Sequence, residues 1–201
     1  MELRPEYPVR TARLRLRPLT GADIADLLGY RSQAEVCRYV PFEPMTADTI
    51  ATTLARGWAC HAITAEGEGI TLGVELAATG RLIGDVMVTF TSAEHRSGEI
   101  GWVLDPGHSG RGYATEAAHA GLHLAFDDLG LHRVVARVDA RNTASLRLAD
   151  RLGMRREALL LENEWFKGGW SDEIDFAILE GEWAALHPDG GSWGVAPVPG
   201  V

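Results

Sequence analysis

Residues 107–126, GHSGRGYATEAAHAGLHLAF, place Gly107, Gly110 and Gly112 within six positions and then run into a string of good helix formers. Glycine is costly wherever the chain must be ordered, so the cluster points to tight turning or to a ligand brought against bare backbone. Both readings act at a helix start. The first N–H groups there have no partner within the helix, and the helix dipole adds partial positive charge, a combination that suits phosphate. An ordinary loop is the plain alternative, since short glycine motifs match by chance. A Walker loop is excluded because no Lys follows the last glycine. A dinucleotide fold is the sharper competitor, because Gly110-x-Gly112 follows a strand pattern, opens a helix and is succeeded by a strand ending in Asp139. Thr115 at the third glycine position, the long interval to the acidic residue and the single parallel unit count against it.

Other chemistry-bearing residues are sparser. His119 and His123 stand four apart on the same expected helix, but with Glu116 and Asp127 they form a polar stripe opposite its apolar face, without HExxH order. No metal is expected. His132 reads as the lead-in to a strand, and Cys37 and Cys60, in no metal or redox spacing, read as buried small apolar residues. A net charge of −9 disfavours nucleic acid and anionic membrane, both of which require clustered Lys and Arg. It suits a cationic small molecule or a basic peptide. No apolar run is long enough to span a bilayer, and the N-terminus MELRPEYPVR lacks the charged-then-apolar order of a signal peptide. A cytoplasmic protein is the expectation.

These residues need elements to position them. At 201 residues, 46% hydrophobic and 23% charged, the chain suits one well-buried core. RLRLRPL, residues 13–19, alternates as a first half-buried strand, and Thr20 caps a short amphipathic helix in TGADIADLLGY. Pro41 and Pro44 break the chain before a second helical stretch from Thr46 to Trp58. ITLGVELAATGRLIGDVMVTF reads as a hairpin turning at ATGR, and EIGWVL, residues 99–104, as another strand. Ala114, Ala118, Leu122, Ala125 and Leu129 recur at helical spacing after the glycines. HRVVARVDA is a valine-rich strand, and NTASLRLADRLG a helix with Asn142 near its start and Gly153 just past its end. Strand, helix and strand over 99–139 imply a parallel pair with a crossover helix. Runs at 155–162 and 174–179 close a hairpin through FKGGWSD, and the Gly- and Pro-rich tail from His187 is expected to fray.

EIGWVLDPGHSGRGYATEA, RVDARNTASLRLADRLGM and WFKGGWSDEIDFAILEGEW, in this order and spacing, resemble the GCN5-related N-acetyltransferases (the GNAT superfamily), and within them the branch of ribosomal-protein alanine and serine N-acetyltransferases. The resemblance covers roughly residues 10–184. It implies one domain of the α/β (α+β) class over residues 1–186, with a mixed central sheet of about six to seven strands, a splayed parallel pair and about four flanking helices. Residues 187–201 would be a flexible tail.

The same resemblance implies roles. In that family a six-residue loop, Gln or Arg, x, x, Gly, x, Gly or Ala, binds the pyrophosphate of acetyl-CoA through backbone amides, and it falls here on Ser109 to Ala114. Gly112 and Ala114 take the small positions, Arg111 adds charge toward a phosphate oxygen, and the donors would be the amides of Gly110, Arg111, Gly112, Tyr113, Ala114 and Thr115. Ser109 departs from the family's first residue, a position that shapes the loop more than it touches ligand. Glu99 to Leu104 and Arg133 to Asp139 would splay around the pantetheine arm, with Val103 and Leu104 along it and an amide near Val103 as oxyanion donor. Asn142 and Ser145 match the family's Asn-x-x-Ser, where Asn contacts the arm and Ser protonates the leaving thiolate. An ordinary helix also begins this way, and the roles are compatible.

Acetyl transfer from a thioester to an amine needs a neutral amine and a nearby proton acceptor, and no covalent nucleophile. Two carboxylates are candidates: Glu99 on the strand before the loop, and Glu164, which stands where this branch carries a glutamate proposed as base, directly or through water. An ordinary carboxylate of pKa about 4.3 is a poor base for an ammonium, so burial or a water relay must help. Each reads equally as a surface charge. Trp165, Phe166 and Trp170 near the closing hairpin, with Tyr39, Phe42 and Trp58, are candidates for an acceptor mouth, two or three reaching it and the rest being core. Tyr39, Trp165 and Trp170 are assigned to it. Glu162, Glu164, Asp172, Glu173 and Asp175 crowd the same region against Lys167 alone, which suits a protonated amine. The expected activity is acetyl-CoA-dependent transfer to a primary amine, a protein N-terminus or a small cationic amine. The alternative is an acyl-CoA-binding sensor of the same fold that has lost catalysis. Oligomeric state stays open, a homodimer included.

Overall fold

The computed structural model describes residues 1–188. Leu14 and Leu16, alternating with arginines, are fully buried in strand β2 (Leu14–Pro18), as a half-buried period of two requires. A strand too short to leave a pattern, β1 (Val9–Arg10), pairs with it, Val9 opposite Leu16. Thr20 caps a 3₁₀ turn at Gly21–Asp23 that leads into α1 (Ile24–Arg31), and the four-residue α2 (Ala34–Cys37) follows. The helix expected from Thr46 to Trp58 is α-helical only over α3 (Ala47–Thr53), with the Thr46 side chain accepting from the Thr49 amide. It widens into a π turn at Leu54–Trp58, where Gly57 has φ 143°.

Strands β3 (Gly69–Leu76), β4 (Leu82–Ser92) and β5 (Ser97–Leu104) form an antiparallel meander. The crossover helix α4 (Tyr113–His123) then leads to β6 (Arg133–Asp139), which lies parallel to β5. α5 (Thr143–Arg151), β7 (Arg155–Phe166), β8 (Gly169–Leu179) and α6 (Glu180–Leu186) complete the fold. The sheet runs β1-β2-β3-β4-β5-β6-β8-β7. Among the described residues eight strands and six α-helices thus replace the expected six to seven and four, the additions being short elements such as β1, α2 and α6. The β7–β8 hairpin is also longer than expected and turns tightly at Lys167 and Gly168, since Phe166 already pairs with Gly169.

The β5–β6 ladder is short. Ser97 opposes Arg133, Gly98 opposes Val134 and Glu99 opposes Val135, and the two strands diverge beyond that point. Each stays paired on its outer side, β5 to β4 as far as Leu104 and β6 to β8 as far as Asp139. The result is a wedge between two otherwise well-supported strands.

The core packs against α4. Ala118, Leu122, Ala125 and Leu129 are buried as the periodicity requires, although the α-helix ends at His123 and a π turn at Leu124–Asp128 carries the last turn. Gly121 lets the helix approach closely, because a Cβ there would meet Val86 Cγ1 at 2.9 Å and Ile100 Cδ1 at 3.1 Å. The polar stripe of α4 is covered as well. Glu116 accepts from Thr11 Oγ1 and the Arg13 amide, His119 packs on Trp183 of α6, and Asp127 accepts from Trp183 Nε1. Burial, then His187 and His123, lowers the His119 pKa to about 4. Cys37 is buried as expected, but Cys60, in the loop after the π turn, is exposed. Among the described residues no helix is long and apolar enough to cross a membrane. The expected tail lies, beyond Pro188, outside the described residues; His187 itself packs on Trp183, with ring centroids 4.0 Å apart.

Candidate active site

The chain leaving β5 turns at Asp105, whose side chain accepts from the Gly107 amide at 3.0 Å and contacts His108 Nδ1 at 3.0 Å. Gly107 therefore belongs to this turn. Gly110 (φ 75°) and Gly112 (φ 78°) take left-handed backbone, which explains why glycine stands at both. Ser109 between the turn and the glycines is extended, at φ −66° and ψ 160°. Gly112 caps α4 without any side-chain acceptor, so the first-turn amides of Tyr113, Ala114 and Thr115 have neither an intrahelical partner nor a side-chain cap. The bare, positively polarised helix end fits a pyrophosphate.

A residue outside the motif braces this loop. Arg13, on the turn between β1 and β2, donates from Nη1 to the Arg111 carbonyl at 2.9 Å and from Nε to Glu116 at 2.7 Å, and lies over the Tyr113 ring at 4.6 Å. Nothing in the local pattern marks it, since it reads as one arginine of an alternating strand. Arg151 of α5 reaches Thr115 Oγ1 at 3.2 Å from the other side.

The wedge between β5 and β6 opens into a cavity of about 470 Å³. Glu99, Trp102 and Val103 line it from β5, residues 136–139 from β6, Asn142 and Ser145 from the start of α5, and Glu164 and Phe166 from β7. Leu104 and residues 109–115 do not line it. Ser145 is placed by two bonds: its amide donates to Asn142 Oδ1 at 3.1 Å, the helix cap, and its Oγ accepts from Trp102 Nε1 at 3.2 Å. The hydroxyl proton is then left over for an acceptor in the cavity.

The opposite wall is built on a buried ion pair. Arg31 Nη2 donates to Asp85 Oδ1 at 2.6 Å, Tyr30 donates to Asp85 Oδ2 at 2.7 Å, and the guanidinium lies over the Trp58 and Phe42 rings at 4.3 and 4.7 Å. Asp85 sits beside Val103 across the β4–β5 ladder. Of the six aromatic candidates for an acceptor mouth, Tyr39, Phe42, Trp58 and Phe166 line the cavity. Trp165 and Trp170 do not: they oppose each other across the hairpin, centroids 5.3 Å apart, and are 59% and 54% exposed. Their place in the ladder turns them away while Phe166, one residue on, points back. Lys167 ties the hairpin to this wall, donating to the carbonyls of Cys37 and Phe42.

Carboxylates ring the cavity. Glu99 pairs with Arg137 at 3.1 Å, whereas Glu164 is exposed. Glu173, which the sequence marks only as one of an acidic crowd, lines the cavity and accepts from Asn163 Nδ2 at 3.1 Å. Burial first, then Asp175, pushes its carboxyl above the usual range; Arg137 opposes this, and Glu164 and Glu99 add to it. Asp139 goes the other way, because the hydrogen bonds and charge of Arg141 outweigh its burial. His119 and His123 lie on α4, away from the cavity lining, His119 against His187 and His123 against Asp127 at 2.6 Å.

A glycine-capped helix after a strand that splays from its parallel neighbour is the arrangement of one acyltransferase class. The family model for the acetyltransferase (GNAT) domain matches residues 13–155. A Bacillus subtilis (strain 168) protein described as the uncharacterized N-acetyltransferase YnaD is 32% identical over 180 residues, covering 87% of this chain and 98% of its own. The same organism's putative ribosomal N-acetyltransferase YdaF is 27% identical, covering 84% and 90%. The crystal structure of a GNAT-family acetyltransferase from Bacillus anthracis superposes with a TM-score of 0.76 at 29% identity, covering 90% of this chain and 99% of that one. The chain belongs to the GNAT family and is an N-acetyltransferase.

Proposed function

We propose that the protein transfers an acetyl group from acetyl-CoA directly to a primary amine, a protein N-terminus or a small cationic amine. The observation that carries this reading is the wedge itself. An uncapped helix end follows one of its strands, and a cavity between the strands holds an oriented serine hydroxyl with carboxylates around it. Acetyl-CoA supplies the activated acyl group when bound. The amides of Gly110 to Thr115 would hold its pyrophosphate, with Arg111 adding charge, and Arg13 keeps that loop in place. Asn142 would touch the pantetheine arm, and an amide near Val103 would donate to the oxyanion. Ser145, its lone pair engaged by Trp102, would give its proton to the departing thiolate. Glu164 or Glu99 would take the amine's proton, directly or through water, and Glu173 between them keeps the site acidic.

The test mixes protein, acetyl-CoA and a panel of primary amines, following thiol release and the mass of the product. Thiol release with a mass gain of one acetyl group on an amine is expected. CoA binding without release for any amine would instead make the protein a sensor.

A further inference from the structure

A second cavity, of about 440 Å³, shares Tyr39 and Phe166 with the first. Its lining is different in charge. Arg38, Arg141 and Lys167 face it with Glu43 as the single carboxylate, in a chain whose net charge is −9. The three cations are interleaved with the two shared rings: Arg38 and Arg141 lie 5.2 and 5.9 Å from the Tyr39 centroid, and Arg141 and Lys167 lie 6.0 and 5.8 Å from that of Phe166. Ring faces hold cations in place without neutralising them. Of the three, Arg141 is paired, with Asp139. Lys167 spends its donors on two neutral carbonyls, and among the described residues no carboxylate pairs with Arg38 or Lys167.

Gathering like charges in a concave surface is unfavourable until an anion joins them, and a concavity lined by one sign concentrates the opposite sign. The glycine loop contributes no residue to this cavity, so the pyrophosphate is provided for elsewhere. On the far side of the Tyr39 and Phe166 partition, Glu99, Glu164, Asp172 and Glu173 suit a protonated amine. We propose that the second cavity is an anion subsite for the acetyl acceptor: it takes a carboxylate borne by the same molecule whose amine enters the acidic cavity. The acceptor is then zwitterionic, either a small amino carboxylate or a peptide with an acidic side chain near its N-terminus. A polyamine, cationic at both ends, is disfavoured. This inference rests on the acetyltransferase reading above.

The experiment compares matched acceptors: ω-amino carboxylates of increasing length, their amides, diamines of equal length, and short peptides with Glu or Gln at positions two to four. The carboxylate or the Glu peptide should exceed its neutral partner by about 10-fold in kcat/KM, the small acids and the peptides telling the two sources apart. Salt should erode the preference. Arg38→Gln, an exposed substitution, should bring the ratio near one by raising the acceptor KM, and Arg38→Lys should restore part of it. Calorimetry with glutarate as probe reads the subsite without activity, and Arg38→Gln should abolish its heat. Acetylation of amines with a ratio near one and no glutarate binding overturns the subsite and leaves the acetyltransferase reading intact. Glutarate binding abolished by Arg38→Gln, with no amine acetylated, does the reverse. An Arg38→Gln variant whose acetyl-CoA KM rises in place of the acceptor's overturns the proposal by assigning the cations to CoA phosphate.

Discussion

The glycine loop with the start of α4 and the β7–β8 hairpin lie on either side of the wedge, and they are held in opposite ways. On the loop side, Glu116 collects Thr11 and Arg13, Arg13 closes on the Arg111 carbonyl, and Gly110 and Gly112 sit in backbone only glycine adopts at no cost. On the hairpin side, Leu159, Leu161, Trp165 and Trp170 are exposed, the register breaks between Leu160 and Glu164, and Glu162 and Lys167 take left-handed backbone without being glycine. On the proposed reading a pyrophosphate would demand one geometry of amides, and a cross-braced loop would supply it. The hairpin, on the proposed acceptor side, is a frame whose exposed side chains can change with little cost to the core, as binding loops on a rigid scaffold do.

The largest effect that sharpens this contrast is expected at Ser145. Its amide, which donates to the Asn142 cap of α5, survives in Ser145→Ala, whereas the hydroxyl held by Trp102 is lost. Turnover should fall by about 10²–10⁴-fold while CoA affinity and Tm stay close to those of the parent protein. Asn142→Ala removes the cap and should instead cost about 0.5–2 kcal/mol of stability. Steady-state kinetics beside thermal melts separates the two, and a Ser145→Ala variant of full turnover removes this serine from the mechanism.

Next in size is Gly112→Val. At φ 78° a β-branched residue is strained by about 1–2 kcal/mol, and because its Cβ would meet Arg13 Nη2 only at contact distance, 3.4 Å, that backbone strain carries the effect. CoA binding by calorimetry should weaken by about 10- to 100-fold. Equal affinity in both proteins would dissociate the loop from the nucleotide and weaken the comparison at its firmer end.

What the sequence discloses follows the same division. Gly110, Gly112 and the Asn142 cap are legible because one residue type at one spacing meets a local backbone need. The alternation of Leu14 and Leu16, and the face from Ala118 to Leu129, are legible because burial imposes a period. Arg13 with Arg111, Lys167 with Cys37 and Arg31 with Asp85 join residues far apart in the chain, and no periodic signal encodes such bonds. The aromatic residues mislead for a related reason: a tryptophan is read as buried or functional, yet strand alternation alone decides that Phe166 faces the cavity and Trp165 does not. β1 and α2 escape because two and four residues are shorter than any period.

The smallest effect tests whether the acceptor side really holds unrelieved charge. Glu173 is half-buried among Asp175, Glu164 and Glu99, and its carboxyl is raised above the usual range in the folded protein. A carboxyl raised in the fold favours the folded state while protonated, so this contribution is present below the unfolded pKa of about 4.3 and is lost as pH rises through the folded value. At neutral pH the ionised group therefore works against the fold. Glu173→Gln, neutral at every pH, should gain a few tenths to about 1 kcal/mol at neutral pH, and the gain should shrink toward zero as the parent's own carboxyl protonates in acid. The same substitution removes negative charge from the cavity, so the KM for a cationic acceptor should rise while that for acetyl-CoA holds. Thermal melts across acid and neutral pH, read with the two Michaelis constants, check both halves. A variant destabilised at neutral pH would mean that Glu173 is held by favourable contacts, and that the acceptor side is braced as firmly as the loop.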